Sequence, residues 1–214
     1  MMVIDPSLLG LFFLAAITLL LTPGPAVFYI VTRSIDQGRR AGIVSVLGIA
    51  TGSLFHVAAA ALGLSAILVA SAMAFNAVRF IGAAYLIFLG LRKLFSAEPM
   101  VSASVTRERN LLRAYRQGVV VNVFNPKNAL FFLAFMPQFV NVSKGHVGEQ
   151  FLILGLLFTL LGLLSDGSWA LMASSLGGRL RTSTRFLRYQ RYFAGTAYLT
   201  LGAAAAFSGS GRKH

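Results

Sequence analysis

The sequence predicts an all-α polytopic membrane protein whose six transmembrane helices form a 3+3 inverted repeat, with the first and fourth helices broken at prolines. Three observations lead to this fold class, and composition is the first of them. Of the 214 residues, 57% are hydrophobic and 12% are charged, which is too apolar for a folded domain with a polar surface. The other two observations are a pair of matching proline motifs and the distribution of positive charge.

Six apolar stretches are long enough to cross a bilayer, because a spanning helix needs roughly 20 predominantly apolar residues. They cover about 7–33, 42–69, 75–95, 116–140, 148–174 and 189–207. Little of the chain is left for a domain outside the membrane. The acidic start and the long apolar stretch that follows it argue against a cleaved signal peptide.

Two proline motifs indicate that the chain is duplicated. Thr22-Pro23-Gly24-Pro25 lies inside the first stretch, and Asn125-Pro126-Lys127-Asn128 lies inside the fourth, about 103 positions later. Similar apolar runs follow both motifs. A second pair, at 82–86 and 195–199, repeats the pattern Gly-x-Ala-Tyr-Leu in the third and sixth stretches, although so short a pattern can also arise by chance.

Three helices in each half mean that the two halves enter the bilayer from opposite sides, so the duplication predicts an inverted repeat. The predicted organisation is a first three-helix repeat at 1–95, a cytoplasmic linker at 96–112, a second three-helix repeat at 113–207 and a short C-terminal tail at 208–214. The linker is polar and contains Pro99, as expected for a flexible connection.

The positive charge follows the predicted loops. Of the 19 Lys and Arg residues, fourteen fall at 33–40, 92–116 and 179–191, which are alternate connections, and four fall on the other side. Basic loops face the cytoplasm, so the chain is predicted to cross the membrane six times with both termini outside the cytoplasm. The net charge of +13 is therefore a topology signal, and no nucleic-acid partner is expected.

The two proline motifs are also the predicted substrate site. Proline removes a backbone donor and breaks a helix, and such a break survives in a bilayer only where protein or a wet cavity satisfies the freed groups. Broken helices at matching positions of two repeats are typical of the substrate site of a transporter. The predicted substrate-binding residues are Thr22, Pro23, Gly24, Pro25, Asn122, Asn125, Pro126, Lys127 and Asn128.

Within this set, Asn125 and Lys127 allow two interpretations each. Asn125 precedes a proline, where helical geometry is disfavoured, so it can cap the half-helix that follows as well as bind a ligand. Lys127 directly follows the break, where its charge and the half-helix amides could hold a substrate carboxylate. Alternatively, Lys127 is a structural strut that pairs with Asp166 or extends toward the interface.

Asp166 and His56 are the predicted proton-coupling residues, since ionisable groups at membrane depth are costly and usually functional. A carboxylate inside a bundle can alternate between a proton and a cationic group, and imidazole exchanges protons near neutral pH. The alternative for both residues is a hydrogen-bonded packing role. Gly48 and Gly52 in the second stretch have the spacing that lets two helix backbones approach closely, which predicts a packing face.

No enzyme motif is present, and neither a cofactor nor a metal site is expected. The sequence has no cysteine, no paired-histidine zinc motif and no phosphate-binding glycine loop. A membrane-embedded scaffold or enzyme would need a catalytic constellation that the sequence does not contain. The expected partners are the lipid bilayer, protons, a small-molecule substrate and, because of the glycine-rich helix faces, a second copy of the chain in a homodimer.

Five motifs in order resemble the LysE/RhtB family of bacterial amino-acid exporters. They are Thr-Pro-Gly-Pro at 22–25, Gly-Arg-Arg-Ala-Gly at 38–42, Gly-Ala-Ala-Tyr-Leu-Ile-Phe-Leu-Gly at 82–90, Asn-Pro-Lys-Asn at 125–128 and Phe-Met-Pro-Gln-Phe-Val at 135–140. The resemblance covers about 5–205. It implies export of amino acids or their derivatives from the cytoplasm across the bacterial inner membrane by proton exchange, so the two outer termini are expected to be periplasmic. The predicted mechanism is proton antiport with alternating access.

The resemblance also bears on individual residues. It marks the two proline motifs and the segment around Gln138 as family hallmarks, and Asp166 stands where many members have an acidic residue. His56 has no such support. A passive channel or a small-cation exporter on the same scaffold is the alternative function.

Overall fold

A computed structural model of the chain describes residues 4, 6–64 and 110–181, together with isolated helical positions at 73–95 and 192–203. All regular structure in these ranges is helical, in agreement with the predicted all-α class. Apart from the isolated positions, the predicted third and sixth helices, the repeated pattern at 82–86 and 195–199, most of the linker and the C-terminal tail lie outside the described residues. The 3+3 arrangement therefore stays a prediction.

The first span is broken where the sequence predicts. Helix α1, Pro6–Leu21, and helix α2, Pro25–Gln37, meet at an angle of 49°. Pro25 is at the first position of α2, where its missing N–H costs nothing and its fixed φ suits a helix start. The span ends later than predicted, at Gln37, because the polar last turn stays helical until Gly38 takes φ +89°.

The fourth span is broken in the same way. Helix α4, Leu111–Val123, and the segment that begins with helix α5, Pro126–Leu130, meet at 43°. The chain then continues through a π-helical turn, Phe131–Phe135, and a 3₁₀ turn, Met136–Phe139. Helix α4 already begins at Leu111, capped by Asn110, so the last two positions of the predicted linker are helical.

Two long helices complete the described part of the bundle. Helix α3, Arg39–Ala59, extends into a π-helical turn, Ala60–Leu64, and helix α6 runs over Val147–Arg181. Both are apolar and long enough to span a membrane, so with the two bent pairs the described ranges hold up to four spans.

Helix α3 packs on α4 through its small residues, which confirms the predicted packing face. A Cβ atom on Gly48 would overlap the carbonyl oxygen of Tyr115, and one on Gly52 would be 2.7 Å from the Cβ of Asn122. The two helix backbones are therefore in direct contact. Because this face is covered within the chain, it does not support the predicted homodimer.

Two apolar clusters fill the core, one on each side of the helix breaks. The first joins α1, the segment after α5 and α6, and it is aromatic: its largest members are Phe12, Phe131, Phe132, Phe139, Phe151 and Phe158. The second joins α2, α3 and α6 through Ala26, Tyr29, Ile30, Val46, Ile49 and Ala170. The breaks thus lie between two dry layers of side chains.

Candidate functional site

Lys127 connects the two helix breaks. Its Nζ atom donates a hydrogen bond of 2.7 Å to the carbonyl oxygen of Thr22, 105 positions away in sequence, and the lysine side chain is buried. The stem of the side chain passes over Gly24, where an added Cβ would be 3.2 Å from Lys127 Cδ. The two proline motifs are therefore in contact, with the glycine of one leaving room for the lysine of the other.

The end of α1 receives its hydrogen bonds from other helices. The last carbonyls of a helix have no intrahelical donors and carry the negative end of the helix dipole. Here Lys127 donates to Thr22, and the Ser165 hydroxyl contacts the Leu20 carbonyl at 3.5 Å. The hydroxyl of Thr22 bonds back to the Thr18 carbonyl at 2.8 Å. The fourth and fifth spans thus stabilise the break in the first.

Three asparagines form a buried network at the second break. Asn122 donates to the Ile49 carbonyl at 2.7 Å and to the Ser53 hydroxyl at 2.8 Å, and its Oδ1 accepts from Asn128 at 2.6 Å. The side chain of Asn125 accepts from the backbone N–H of Lys127 at 3.1 Å, which confirms its predicted role as a cap of the half-helix. The network ties α4 and α5 to α3.

His56 lies at the edge of this network. Its Nε2 is 2.9 Å from the carbonyl oxygen of Asn122, and its ring stacks on Phe132 with centroids 5.7 Å apart. A carbonyl oxygen only accepts, so Nε2 carries the hydrogen. These contacts fit the packing interpretation, and His56 is not among the residues that line the cavity around Asp166.

Asp166 on α6 faces a small cavity between the first, second, fourth and fifth spans. The side chain is 7% exposed. The cavity also contains Ser53, Asn128 and Thr159 as polar groups, and its apolar lining is Leu20, Val46, Ile49, Ala50, Phe158, Gly162 and Leu163. The cavity volume is about 10 Å³, so this conformation fits a water-sized ligand and not an amino acid.

Lys127 and Asp166, both among the described residues, interact electrostatically but form no direct ion pair. The simplest form of the strut interpretation, a salt bridge between these two residues, is therefore not what the structure contains. Lys127 is instead anchored on the first break, while the carboxylate of Asp166 remains at the cavity. No cluster of three or more His, Asp or Glu side chains in the described ranges could hold a metal ion.

The predicted site residues fall into two adjoining groups. Thr22, Gly24 and Lys127 meet at the first break, and the three asparagines meet at the second, with Asn128 shared between the network and the cavity. Pro25 and Pro126 are exposed and shape the chain without entering the cavity. Ser53 and Thr159 were not predicted as site residues, because their only signal in the sequence is a hydroxyl group inside an apolar helix.

The chain is similar to one family of membrane transporters and to several bacterial membrane proteins. Residues 17–209 match the family described as LysE type translocator. The chain is 34% identical over 74% of its length to the uncharacterized membrane protein YrhP of Bacillus subtilis, covering 79% of that protein. It is 27% identical over 91% of its length to a homoserine/homoserine lactone efflux protein of Salmonella typhimurium, covering 94% of it.

A leucine efflux protein of Salmonella choleraesuis is 28% identical over 67% of this chain and 68% of its own length. No solved structure matches the chain significantly.

Proposed function

Because the chain belongs to the LysE type translocator family, and so is a membrane transporter and not an enzyme, we propose that it exports amino acids or amino-acid derivatives from the cytoplasm. Relatives named for the efflux of homoserine, homoserine lactone and leucine support this substrate class. The observation that carries the proposal is the buried carboxylate of Asp166 in a partly polar cavity beside two helix breaks.

The cavity suits the amino group of the substrate. Asp166 supplies a carboxylate for the ammonium, and Ser53, Asn128 and Thr159 supply neutral hydrogen-bonding groups. The remaining lining is apolar, and in a conformation with a wider cavity it would surround a short aliphatic side chain. Lys127 then exchanges the Thr22 carbonyl for the substrate carboxylate when the first break opens, since both are oxygen acceptors.

Proton antiport follows from competition at Asp166. If a proton and the substrate ammonium cannot occupy the carboxylate together, inward movement of one is coupled to outward movement of the other. His56 is a second proton-coupling candidate, but its ring nitrogen bonds a backbone carbonyl and not Asp166.

Alternating access requires that the cavity open to one side at a time. Each apolar cluster contributes to the cavity wall, Phe158 and Leu20 from the first and Val46 and Ile49 from the second. We take the two clusters as the two gates. The proposed location is the bacterial inner membrane with both termini periplasmic, and the proposed homodimer forms through faces other than that of Gly48.

Proteoliposomes loaded with L-homoserine or L-leucine test the proposal. Asp166→Asn and Lys127→Met are each expected to abolish efflux driven by a proton gradient, because each removes one charge that holds the zwitterion. Matched controls are Glu149→Gln, an exposed carboxylate on α6, and Lys144→Met, a lysine outside the site, which should retain wild-type efflux. Full activity of both site variants in folded protein would refute the assignment.

The same vesicles separate a carrier from the alternative functions. A carrier saturates with substrate and accumulates it against its gradient when a proton gradient is applied. A passive channel does neither, and a small-cation exporter would move cations without amino acids. Amino-acid flux that neither saturates nor responds to the proton gradient would favour the channel.

A further inference from the structure

Arg33 is a buried cation outside the Asp166 cavity. It lies on α2 with 2% of its surface exposed, between α2 and α4. Its Nη2 donates to Oε1 of Gln117, and its guanidinium is 5.4 Å from the centre of the Tyr29 ring. The hydroxyl of Tyr29 in turn donates to the Ala114 carbonyl at 2.7 Å, so the two half-helices are tied together around the arginine.

The partners of Arg33 carry no negative charge that could balance its positive charge. An amide oxygen and an aromatic ring are both neutral, and in the described part of the chain no carboxylate pairs with the guanidinium. Buried charges in proteins are normally paired with an opposite charge or fully hydrogen-bonded. The Nε atom of Arg33 is buried without any hydrogen-bond partner.

The unpartnered atom lies on a particular edge of the guanidinium. The Nε–H and one Nη2–H groups point the same way and form the side-on edge that binds both oxygens of a carboxylate in two parallel hydrogen bonds. Here Nη2 donates to the oxygen of Gln117 and Nε has no partner, so this edge has an unused donor that a carboxylate oxygen could accept from.

Arg33 also has a defined position relative to the cavity. It follows Tyr29 and Ile30 by one helical turn, and these pack on Val46 and Ile49, which line the cavity. The second apolar cluster thus separates Arg33 from Asp166. Beyond Arg33, α2 ends at Gln37, and α3 begins with the exposed basic residues Arg39 and Arg40, at the end that the charge distribution assigns to the cytoplasm.

We propose that Arg33 is a capture site for the carboxylate of the exported amino acid on the cytoplasmic side of the second apolar cluster. The substrate carboxylate displaces Gln117, which is half-buried, and binds Nε and Nη2 before the cluster opens and the substrate moves to Asp166. This site rests on the proposed function, because it needs an amino acid that enters from the cytoplasm. It adds a specificity element for substrates with a free carboxylate.

L-homoserine and L-homoserine lactone are a matched pair for the test, because the lactone lacks the free carboxylate. Transport is measured in vesicles with the cytoplasmic face outward, with L-leucine and L-leucinamide as a second pair. Arg33→Gln should raise the KM for homoserine at least about tenfold, as expected for the loss of a charge-assisted pair of hydrogen bonds, and leave the lactone KM within about twofold. The kcat should change little for either compound.

Three further variants distinguish loss of carboxylate binding from a purely structural effect. Gln117→Glu gives Arg33 a permanent carboxylate, so it should remove the preference for homoserine over the lactone while keeping the arginine. Arg40→Gln removes an exposed charge from the same end and should leave both KM values unchanged. In contrast, Arg33→Lys should give an intermediate KM, since lysine keeps the charge without the bidentate edge.

The outcomes separate the two proposals. Equal changes of KM for homoserine and the lactone in Arg33→Gln, or an unchanged preference in Gln117→Glu, would overturn the capture site alone. Failure of the wild-type protein to move any of the four compounds would refute the proposed function and the capture site with it.

Discussion

The ammonium group of Lys127 donates its hydrogen bond to a backbone carbonyl at the end of a helix and does not form an ion pair with a carboxylate. Helix α1 stops at Leu21, and the carbonyl of Thr22 would be left without a donor in a medium that contains no water to supply one. The 2.7 Å bond from Lys127 Nζ satisfies this carbonyl and places a positive charge at the negative end of the helix dipole. The lysine thereby stabilises the break at which it binds.

Asn122 carries more hydrogen bonds than any neighbour in the asparagine network, and it is completely buried. We expect Asn122→Ala to lower the free energy of unfolding by about 1–3 kcal/mol, because the buried amide of Asn128 loses its acceptor and the Ile49 carbonyl loses one of its donors. Unfolding by denaturant titration in detergent measures this, with Val120→Ala on the exposed face of α4 as the control. Equal stability of the two variants would contradict the role of the network.

Single residues differ in how far the sequence predicts them. The cap at Asn125 was predictable because proline constrains the residue before it, and that rule is local. The bond between Lys127 and Thr22 was not, since it joins positions 105 apart and depends on how the two bent spans pack. Arg33 was counted with the cytoplasmic loops, and it proves to be buried inside α2, because a charge count does not register tertiary contacts.

At the scale of elements, α3 and α4 form the closest helix pair. In a bilayer, where burial from water does not drive helix association, close backbone contact provides the dispersion energy that holds such a pair. Gly48 and Gly118 face each other across the contact: a Cβ on Gly48 would be 3.2 Å from Gly118 Cα. Because glycine has no Cβ at either position, the backbones of α3 and α4 can come into contact.

Gly48→Ala is therefore expected to destabilise the protein by about 1–3 kcal/mol, since the added methyl group meets backbone atoms of α4 that cannot rotate away. Gly63→Ala is the matched control, because an added Cβ there meets nothing within 4 Å. The measurement is the denaturant midpoint in detergent of both variants. Loss of stability of the same size in both variants would contradict the role of the contact, since alanine is a better helix former than glycine and propensity alone would stabilise both variants.

The helix breaks were predicted correctly because proline determines them, whereas details of helix geometry that depend on tertiary packing were not predicted. Both breaks are where Pro23, Pro25 and Pro126 require them. The π-helical turn Phe131–Phe135 was not predicted, because its apolar sequence is equally compatible with an α-helix. Its wider turn arises where Phe131 and Phe132 pack against Phe158, which is a property of the assembled core.

At the scale of the whole molecule, charge asymmetry predicts the orientation in the membrane. A fusion of alkaline phosphatase after His214 is expected to be active in the periplasm, and a fluorescent protein inserted within 96–112 is expected to fluoresce in the cytoplasm. The paired reporters should exchange their signals at these two positions. A fluorescent C-terminal fusion together with an inactive phosphatase would contradict the six-crossing topology.

The prediction of an inverted repeat rests on the similarity between the two halves of the sequence. Two matching elements of the repeat, the bent first and fourth spans, lie in the described ranges. The bent first and fourth spans have similar angles, 49° and 43°, which fits a duplication. The opposite orientation of the halves needs the third and sixth helices, which lie outside the part of the chain that the structure describes. Sequence similarity over five residues is too short to supply that geometry.

The bond between Lys127 and Thr22 has a consequence for leakage. In a carrier, ions leak down their gradient whenever the site is open to both sides of the membrane at once. If the two helix breaks moved independently of each other as hinges, the protein would sometimes adopt that state. Here one hinge contains the donor and the other the acceptor, so straightening either hinge removes a bond from its counterpart. We therefore expect the two hinges to move in concert, and the uncoupled proton flux through the wild-type protein to be small.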